Sequence, residues 1–329
     1  KAETWFQKAS SMASHSSDWV TPIGIDYRGV RSISHPPNSV GVVALQTLGM
    51  LDRFEAPAAG SFDGSGWADS RWVHLGLEAS RMALAERDAH VTDPASMPAD
   101  TVAEMLSDEL IDVLASRLDA HQVRASRPSS SPPGGGTVYL TTADRWGGLV
   151  SLLQSNYQGF GSGLVDPATG IGFQDRGAFF SLDPEHPNAL APSKRTAHTL
   201  APGMLLRDGR PWIAHGAMGG EIQPQVFAQF VSAVIDGRAD VATAVAAPRW
   251  AAQMREQHGP PSLTAVESRL HPDVIAALRE MGHEVEVREA WSSAMGHAHA
   301  IEVLRDDDGA VLSFAAGADP RTEGQAAAF

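Results

Sequence analysis

The 329-residue chain contains no cysteine. Disulfides, thiolate nucleophiles and Cys-ligated zinc are therefore excluded together, while the redox compartment stays open. No apolar run approaches the roughly 18 residues that a spanning helix needs, so no membrane partner is expected. No charged-then-apolar leader opens the sequence either, which leans the expected location toward the cytoplasm. Basic residues are scarce: 25 Lys and Arg stand against 39 Asp and Glu, a formal net charge of −14. With no clustered basic patch to offset that balance, a nucleic-acid partner is not expected. There is no repeat of solenoid length. A phosphate loop ending in Lys-Ser/Thr, a dinucleotide fingerprint and a G-x-S-x-G elbow are all missing, so no cofactor is expected. The first residues, KAETWFQKAS, lack an initiating Met and read as the start of a processed product or a fragment.

What is present suffices for a buried core: 43% of residues are hydrophobic and 19% charged. The chain changes texture near its middle. Before residue 124 it reads as helical. Residues 39–54 carry Val42, Val43, Leu45, Leu48 and Leu51 at helical spacing, with Ser39 placed to cap them. Residues 72–90 and 101–120 each read as one helix, the latter through a Met105, Leu106, Leu110, Leu114 and Leu118 stripe that is ordinary core. Residues 124–136, RASRPSSSPPGGG, read as a linker. Beyond it, 137–144 and 148–155 alternate with period two as strands. Residues 203–216 read as a hairpin about Asp208-Gly209, 222–237 as an amphipathic helix, 271–289 as helix, Gly stop and strand, and 298–321 as a hairpin about Asp308-Gly309. Strand pairs followed by helices, without regular β-α-β alternation, predict an α+β fold.

Four stretches can carry chemistry. HGAMGGE (215–221) is either a tight turn or a pair of backbone N–H donors, Gly219 and Gly220, at a helix start where an oxyanion fits. His297 and His299 share one face of a strand, as a two-His metal pair would, but no third ligand is indicated and no metal is expected. Lys194, Arg195 and His198 lie in a Pro-rich loop that is either a carboxylate-recognition site or plain surface. Thr137 is the fourth. As an internal residue it is unremarkable. As a new N-terminus it would carry a hydroxyl and an α-amine of lower pKa than a lysine, the amine acting as base on its own Oγ.

From Thr137 onward the sequence resembles the small subunit of the γ-glutamyltranspeptidase family of N-terminal-nucleophile hydrolases. The resembling phrases occur in the family's order: YRGVRSISHPPNSVGVVALQTLGMLDRFE (27–55), HLGLEASRMALAERDAHVTDP (74–94), QSNYQGFGSGLV (154–165), APSKRTAHTLAPGMLLRDGRPWIAHGAMGGE (191–221), AVAAPRW (244–250) and GADPR (317–321). The resemblance implies a four-layer αββα sandwich and self-cleavage between Gly136 and Thr137. It further implies a single domain made of 1–136, the end of a large-subunit-like segment, and 137–329, a small-subunit-like catalytic segment. Thr137 then becomes the nucleophile, Ser155 the supporting hydroxyl where the family usually has a second Thr, and Gly219 and Gly220 the oxyanion donors. Tyr157, Arg176, His198 and Thr199 fall among the substrate-contacting positions.

The sequence also departs from the family. The acidic stretch that grips the substrate's α-amino group in true transpeptidases is replaced by FQDRGAFF (173–180), with Arg176 and Phe179 at positions where acid or amide side chains are expected. Arg176 would repel a substrate ammonium rather than hold it. A paired Ser that contacts substrate carboxylate is replaced by His198 and Thr199. The wording of QSNY, GFGSG and HPNALAP resembles the branch containing YwrD-like proteins and cephalosporin acylases. These features imply an acyl-amide hydrolase or acyltransferase taking a small-molecule substrate and a water or amine acceptor, acting on γ-glutamyl or related, glutaryl-like acyl groups. The alternative is an uncleaved, inactive relative with a binding or scaffold role. The stretch that precedes YRG in the family's large subunit, with core strands and a carboxylate-binding Arg, has no counterpart in this sequence.

Overall fold

The computed structural model describes residues 16–123, 136–254 and 262–328. Of the 124–136 linker only Gly136 falls within them; the rest of that segment lies outside the described residues. The chain opens with an antiparallel pair, β1 (Ile23–Tyr27) and β2 (Val30–Ser34), and then α1 (Gly41–Leu51). Every residue of α1 is buried, as a helix apolar all round must be. Ser39 sits one residue too early to cap it: the cap position is Val40, and the Ser39 hydroxyl accepts from Gly41 N at 3.2 Å while donating to the Leu200 carbonyl. A short hairpin, β3 (Phe62–Asp63) and β4 (Gly66–Trp67), leads to α2 (Ser70–His90), whose start is capped by Asp69 accepting from Trp72 N.

The single helix expected over 101–120 is two, α3 (Thr101–Met105) and α4 (Asp108–Ser116). Ser107 breaks it: its extended backbone lets its hydroxyl accept from Leu110 N at 3.2 Å, so it starts a new helix. After the linker come β5 (Thr137–Ala143) and β6 (Leu149–Ser155), β7 (Gly203–Arg207) and β8 (Arg210–Met218), α5 (Gln223–Ile235) and α6 (Val241–Ala246). The chain ends with β9 (Trp250–Met254), β10 (Ser262–Glu267), α7 (Pro272–Glu280), β11 (Val285–Arg288), β12 (His297–Arg305) and β13 (Val311–Ala318).

Six strands form one antiparallel sheet in the order β1-β2-β7-β8-β12-β13. Strands from before and after the linker are thus hydrogen-bonded neighbours, Ser34 opposite Gly203 and Arg31 opposite Leu206. One face of this sheet is covered by α1 and α5. The β5–β6 hairpin lies across β8 and β12. Its Tyr139 ring rests on Gly216, 2.5 Å from where a Cβ would stand, and its Ser151 hydroxyl donates to the His215 carbonyl at 3.2 Å. A second, three-stranded sheet, β11-β10-β9, packs beside α2.

The fold is therefore α+β. Helices, six-stranded sheet and hairpin make three successive layers, and no fourth layer covers the hairpin among the described residues. Its outer residues Val138, Leu140, Val150 and Leu152 are 65%, 49%, 50% and 42% exposed.

Two buried histidines set a pH limit on this core. His215 is 1% exposed between Phe227 and Phe230, with ring centroids 4.4 and 4.7 Å away and neither nitrogen hydrogen-bonded among the described residues. His283 is 5% exposed. Its Nε2 faces His74 Nδ1 at 2.7 Å, while His74 Nε2 donates to the Asp119 carbonyl at 2.7 Å. Its Nδ1 faces Thr264 and the Arg81 guanidinium. Burial lowers both rings to about 3, with Arg81 and then His74 adding to the effect at His283. The folded pKa lies below the unfolded value of about 6.5, so the unfolded chain alone takes up protons as pH falls from 6.5 toward 3. Stability is full above pH 6.5 and declines by at most about 1.4 kcal/mol per pH unit for each ring. These two rings together are expected to make the urea-unfolding free energy at pH 5 about 2–4 kcal/mol lower than at pH 7. His215→Leu should remove about half of that difference; an unchanged pH dependence would show that His215 is not neutral in the fold.

Candidate active site

The hairpin register sets the centre. Thr137 opens β5 and pairs with Ser155, the last residue of β6. Thr137 is 9% exposed, and its hydroxyl donates to Ser155 Oγ at 2.8 Å. The same Ser155 oxygen accepts from Tyr157 N at 2.9 Å, which fixes its lone pairs. Immediately before Thr137 the backbone of Gly136 has φ +121, and a Cβ there would stand 2.7 Å from Gly159 N and 2.8 Å from its carbonyl oxygen. Only glycine fits at that junction.

Arg176, on a 3-10 turn (Arg176–Phe179), points back at this pair. Its Nη2 donates to the Ser155 carbonyl at 3.4 Å and its guanidinium lies 5.5 Å from the Tyr157 ring centroid. Tyr157, in a left-handed conformation at φ +78, is braced edge-on by Phe179 at 5.3 Å. Arg176 is 7% exposed, and its buried Nη1 has no hydrogen-bond partner among the described residues. Burial pulls its pKa down, partly offset by Tyr157 and Asp175. A buried cation with an idle donor is costly unless an anion reaches it.

His198 lies in the field of Arg176. Its backbone is tied to the start of α1, N donating to the Asn38 carbonyl at 2.9 Å and the carbonyl accepting from Val40 N at 3.1 Å. Nδ1 accepts from Leu200 N at 3.2 Å, so the neutral ring carries its proton on Nε2. Burial, then Arg176 and His35, pushes its pKa down to about 3. Thr199 is buried next to it, 1% exposed. The other two cations of this loop face away: Lys194 donates to the Pro187 and Ala189 carbonyls, and Arg195 pairs with Asp18 at 2.6 Å. Carboxylate recognition by the whole Lys194–Arg195–His198 group is therefore not what this loop is built for.

The glycine turn closes β8. Gly219 has φ +138 and Gly220 φ +62, and a 3-10 turn over Gly220–Ile222 runs straight into α5. Adjacent N–H groups at a helix start form an anion-accepting turn. Glu221 anchors it by accepting from the buried Arg87 at 2.7 Å. No hydrogen bond joins Thr137 to this turn among the described residues; Thr137 and Tyr139 line a cleft of about 420 Å3 together with His297, His299 and Met218, the residue that precedes the glycine pair. His299 stacks on Tyr139 at 6.3 Å and accepts from Asp319 N at 3.4 Å, and no group of three or more potential metal ligands occurs among the described residues.

The Arg87–Glu221 anchor and the Gly136–Gly159 contact were not legible in the sequence. Glu221 directly after the glycine pair was the one available signal. Its partner, 134 residues earlier in the chain, could not be read from spacing.

The fold mixes helix and sheet, with the Thr137 hydroxyl at the head of its two-stranded hairpin, and its structural relatives are N-terminal-nucleophile hydrolases. The γ-glutamyltranspeptidase family pattern matches residues 8–329, and the chain belongs to that family. It is 40% identical over 299 residues to the oxamate amidohydrolase proenzyme of Klebsiella pneumoniae, covering 89% of this chain and 52% of that protein. It is 36% identical over 319 residues to the glutathione hydrolase-like YwrD proenzyme of Bacillus subtilis, covering 95% and 56%. The crystal structure of a cephalosporin acylase from Bacillus halodurans superposes with a TM-score of 0.83 at 38% identity, covering 97% of this chain and 55% of that one. The chain spans about half the length of the curated relatives it matches. Those relatives are named as hydrolases and as proenzymes.

Proposed function

We propose that this chain forms the catalytic part of a self-processing amidohydrolase whose nucleophile is Thr137, released by cleavage of the Gly136–Thr137 bond, and whose acyl substrate carries a carboxylate held by Arg176. The observation that carries the reading is the Thr137–Ser155 hydroxyl pair at the head of β5, behind a junction that admits only glycine. In this reading the hairpin belongs to the second sheet of an αββα sandwich, and the processed protein consists of two subunits.

Cleavage would leave Thr137 with a free α-amine. That amine takes the Oγ proton, directly or through water, as Oγ adds to the amide carbon. Ser155 orients the hydroxyl. The Gly219 and Gly220 N–H groups receive the carbonyl oxygen as it becomes anionic. Collapse breaks the C–N bond, the ammonium proton passes to the departing amine, and an acyl ester remains on Thr137. Water, deprotonated by the same amine, adds to the ester carbonyl; Oγ leaves and regains its proton, and the acid is released.

The substrate class follows from Arg176. Its idle Nη1 and its bond to the Ser155 carbonyl place a positive charge one residue from the nucleophile. A γ-glutamyl ammonium at that point would be repelled; a carboxylate near the scissile carbonyl would be held. Oxamate, the amide for which one relative is named, has that arrangement in its smallest form. His198, neutral and beside Arg176, adds a neutral Nε2–H donor.

The test compares oxamate, a glutaryl anilide, a γ-glutamyl anilide and an uncharged butyryl anilide on wild type and Arg176→Ala. Removing a charge-assisted bond worth about 1.5–3 kcal/mol should lower kcat/KM for the preferred carboxylate substrate by roughly 10- to 150-fold, and for an uncharged acyl amide by less than about threefold. If the ratio between anionic and uncharged substrates does not change, Arg176 is not the selector.

A further inference from the structure

Behind the glycine turn lies a buried ion network that the proposed chemistry does not use. Arg249, Glu267, Asp319 and Arg321 are 3%, 0%, 1% and 8% exposed. Arg321 grips Glu267 with two bonds, Nε to Oε1 at 2.6 Å and Nη2 to Oε2 at 2.5 Å, and reaches Asp319 Oδ1 at 3.0 Å. Asp319 Oδ2 accepts from Ala298 N at 2.7 Å and from Arg249 Nη2. Arg249 Nη2 also donates to the Val245 carbonyl at 3.0 Å. The other arm of Arg249 donates to two consecutive carbonyls, Met295 at 2.9 Å and Gly296. Burial lowers its pKa only to about 10, so it is a cation at neutral pH.

Those two carbonyls belong to the turn that enters β12, and this turn is pressed against the proposed oxyanion site. Gly296 has φ +80, and a Cβ there would stand 2.7 Å from the Met218 carbonyl and 3.1 Å from Ile222 Cγ2. From the other side, a Cβ on Gly219 would stand 3.0 Å from Gly296 Cα and 2.5 Å from the same Ile222 methyl. The two glycine backbones touch with nothing between them. In register, His297 faces Met218, so β12 and the end of β8 enter the contact as hydrogen-bonded neighbours. Whatever fixes the Gly296 peptide therefore fixes the wall against which Gly219 turns.

We infer that Arg249 is a positioning residue for the Gly219–Gly220 turn, acting through the Met295 and Gly296 carbonyls while Asp319, held by Arg321 and Glu267, sets the guanidinium. This rests on the proposed role of the glycine turn as oxyanion site. The guanidinium plane is what the geometry requires: it serves two carbonyls with one nitrogen and a carbonyl plus a carboxylate with the other, and a lysine ammonium cannot span both.

Arg249→Lys keeps the charge and gives up the fork. In the full-length protein, with the processed fraction measured by intact mass and rates expressed per cleaved molecule, kcat for amide hydrolysis should fall at least about 10-fold, toward the 10²–10³-fold seen when an oxyanion donor is lost, with KM within about threefold. A merely structural role would lower the melting temperature and leave kcat of the folded fraction alone. Gly296→Ala pushes the same turn from behind and should give the same split between kcat and KM. The Arg249→Lys/Gly296→Ala double variant should lose little more than the worse single variant, because both act on one turn. If Arg249→Lys does not fold, Gly296→Ala alone decides. A folded, cleaved variant of either kind with kcat within about twofold of wild type overturns the inference. Thr137→Ala, measured alongside, separates the two readings: full activity in that variant defeats the proposed nucleophile, whereas its inactivity beside an unaffected Arg249→Lys defeats only the positioning role.

Discussion

Thr137→Ala is expected to persist as one uncleaved chain and to lose amide hydrolysis by about a thousandfold or more, the scale on which enzymes lose rate when the nucleophile itself is removed. The effect should be chemical and not structural. Among the described residues Thr137 contributes one side-chain hydrogen bond, to Ser155, and it heads a strand whose inward packing rests on Tyr139. Loss of that bond costs about 1 kcal/mol, too little to unfold a domain of this size. Thr137→Ser keeps the hydroxyl and should retain both cleavage and measurable hydrolysis. Circular dichroism and size exclusion on all three proteins check that the fold is shared. A Thr137→Ala protein that is cleaved and hydrolyses amides at the wild-type rate would remove the nucleophile from this account.

The largest expected effect on stability lies at Glu267. Its carboxylate is fully buried, takes both arms of Arg321, and accepts from Arg249 N at 3.2 Å. Glu267→Ala leaves Arg321, itself buried, with Asp319 as its one carboxylate partner among the described residues, beside backbone carbonyls and the Trp291 ring. Breaking a buried pair from one side typically costs about 3–5 kcal/mol, a large part of a domain's net stability. For a chain of this length that is a fall in melting temperature on the order of 10 °C. Asp112→Asn is the matched comparison. Asp112 accepts from Arg53 at 2.7 Å, but its side chain is 63% exposed and Arg53 keeps Asp108, so the change should stay below about 1 kcal/mol. Comparable shifts for the two variants would show that the buried network does not hold the fold.

The sequence carried local structure well where local chemistry decides it. Asp208-Gly209 marks the β7–β8 turn with φ values of +52 and +72, as a two-residue hairpin loop demands. The alternation in TVYLTTAD puts Tyr139 inward and Val138 and Leu140 outward. It failed where one polar side chain overrides a stripe: Ser107 divides a run that hydrophobic spacing reads as continuous. Thr137, Ser155, Tyr157, Arg176 and His198 could be named as a group because a family resemblance supplied their order, and the structure draws them around one hairpin end. The support behind them was illegible. Arg249 reaches Gly296 across 47 residues and Asp319 across 70, and pairings over such separations leave no periodic trace. Nor does sequence spacing reveal that two glycines in distant turns meet at their backbones.

The central claim is that Thr137 becomes a chain terminus. Intact-mass measurement of the purified protein, with N-terminal sequencing of each species, tests it most directly. The account predicts two polypeptides, the second beginning TVYLTTAD and carrying a free α-amine. A single chain with the Gly136–Thr137 bond intact, hydrolysing amides at an undiminished rate, would contradict it.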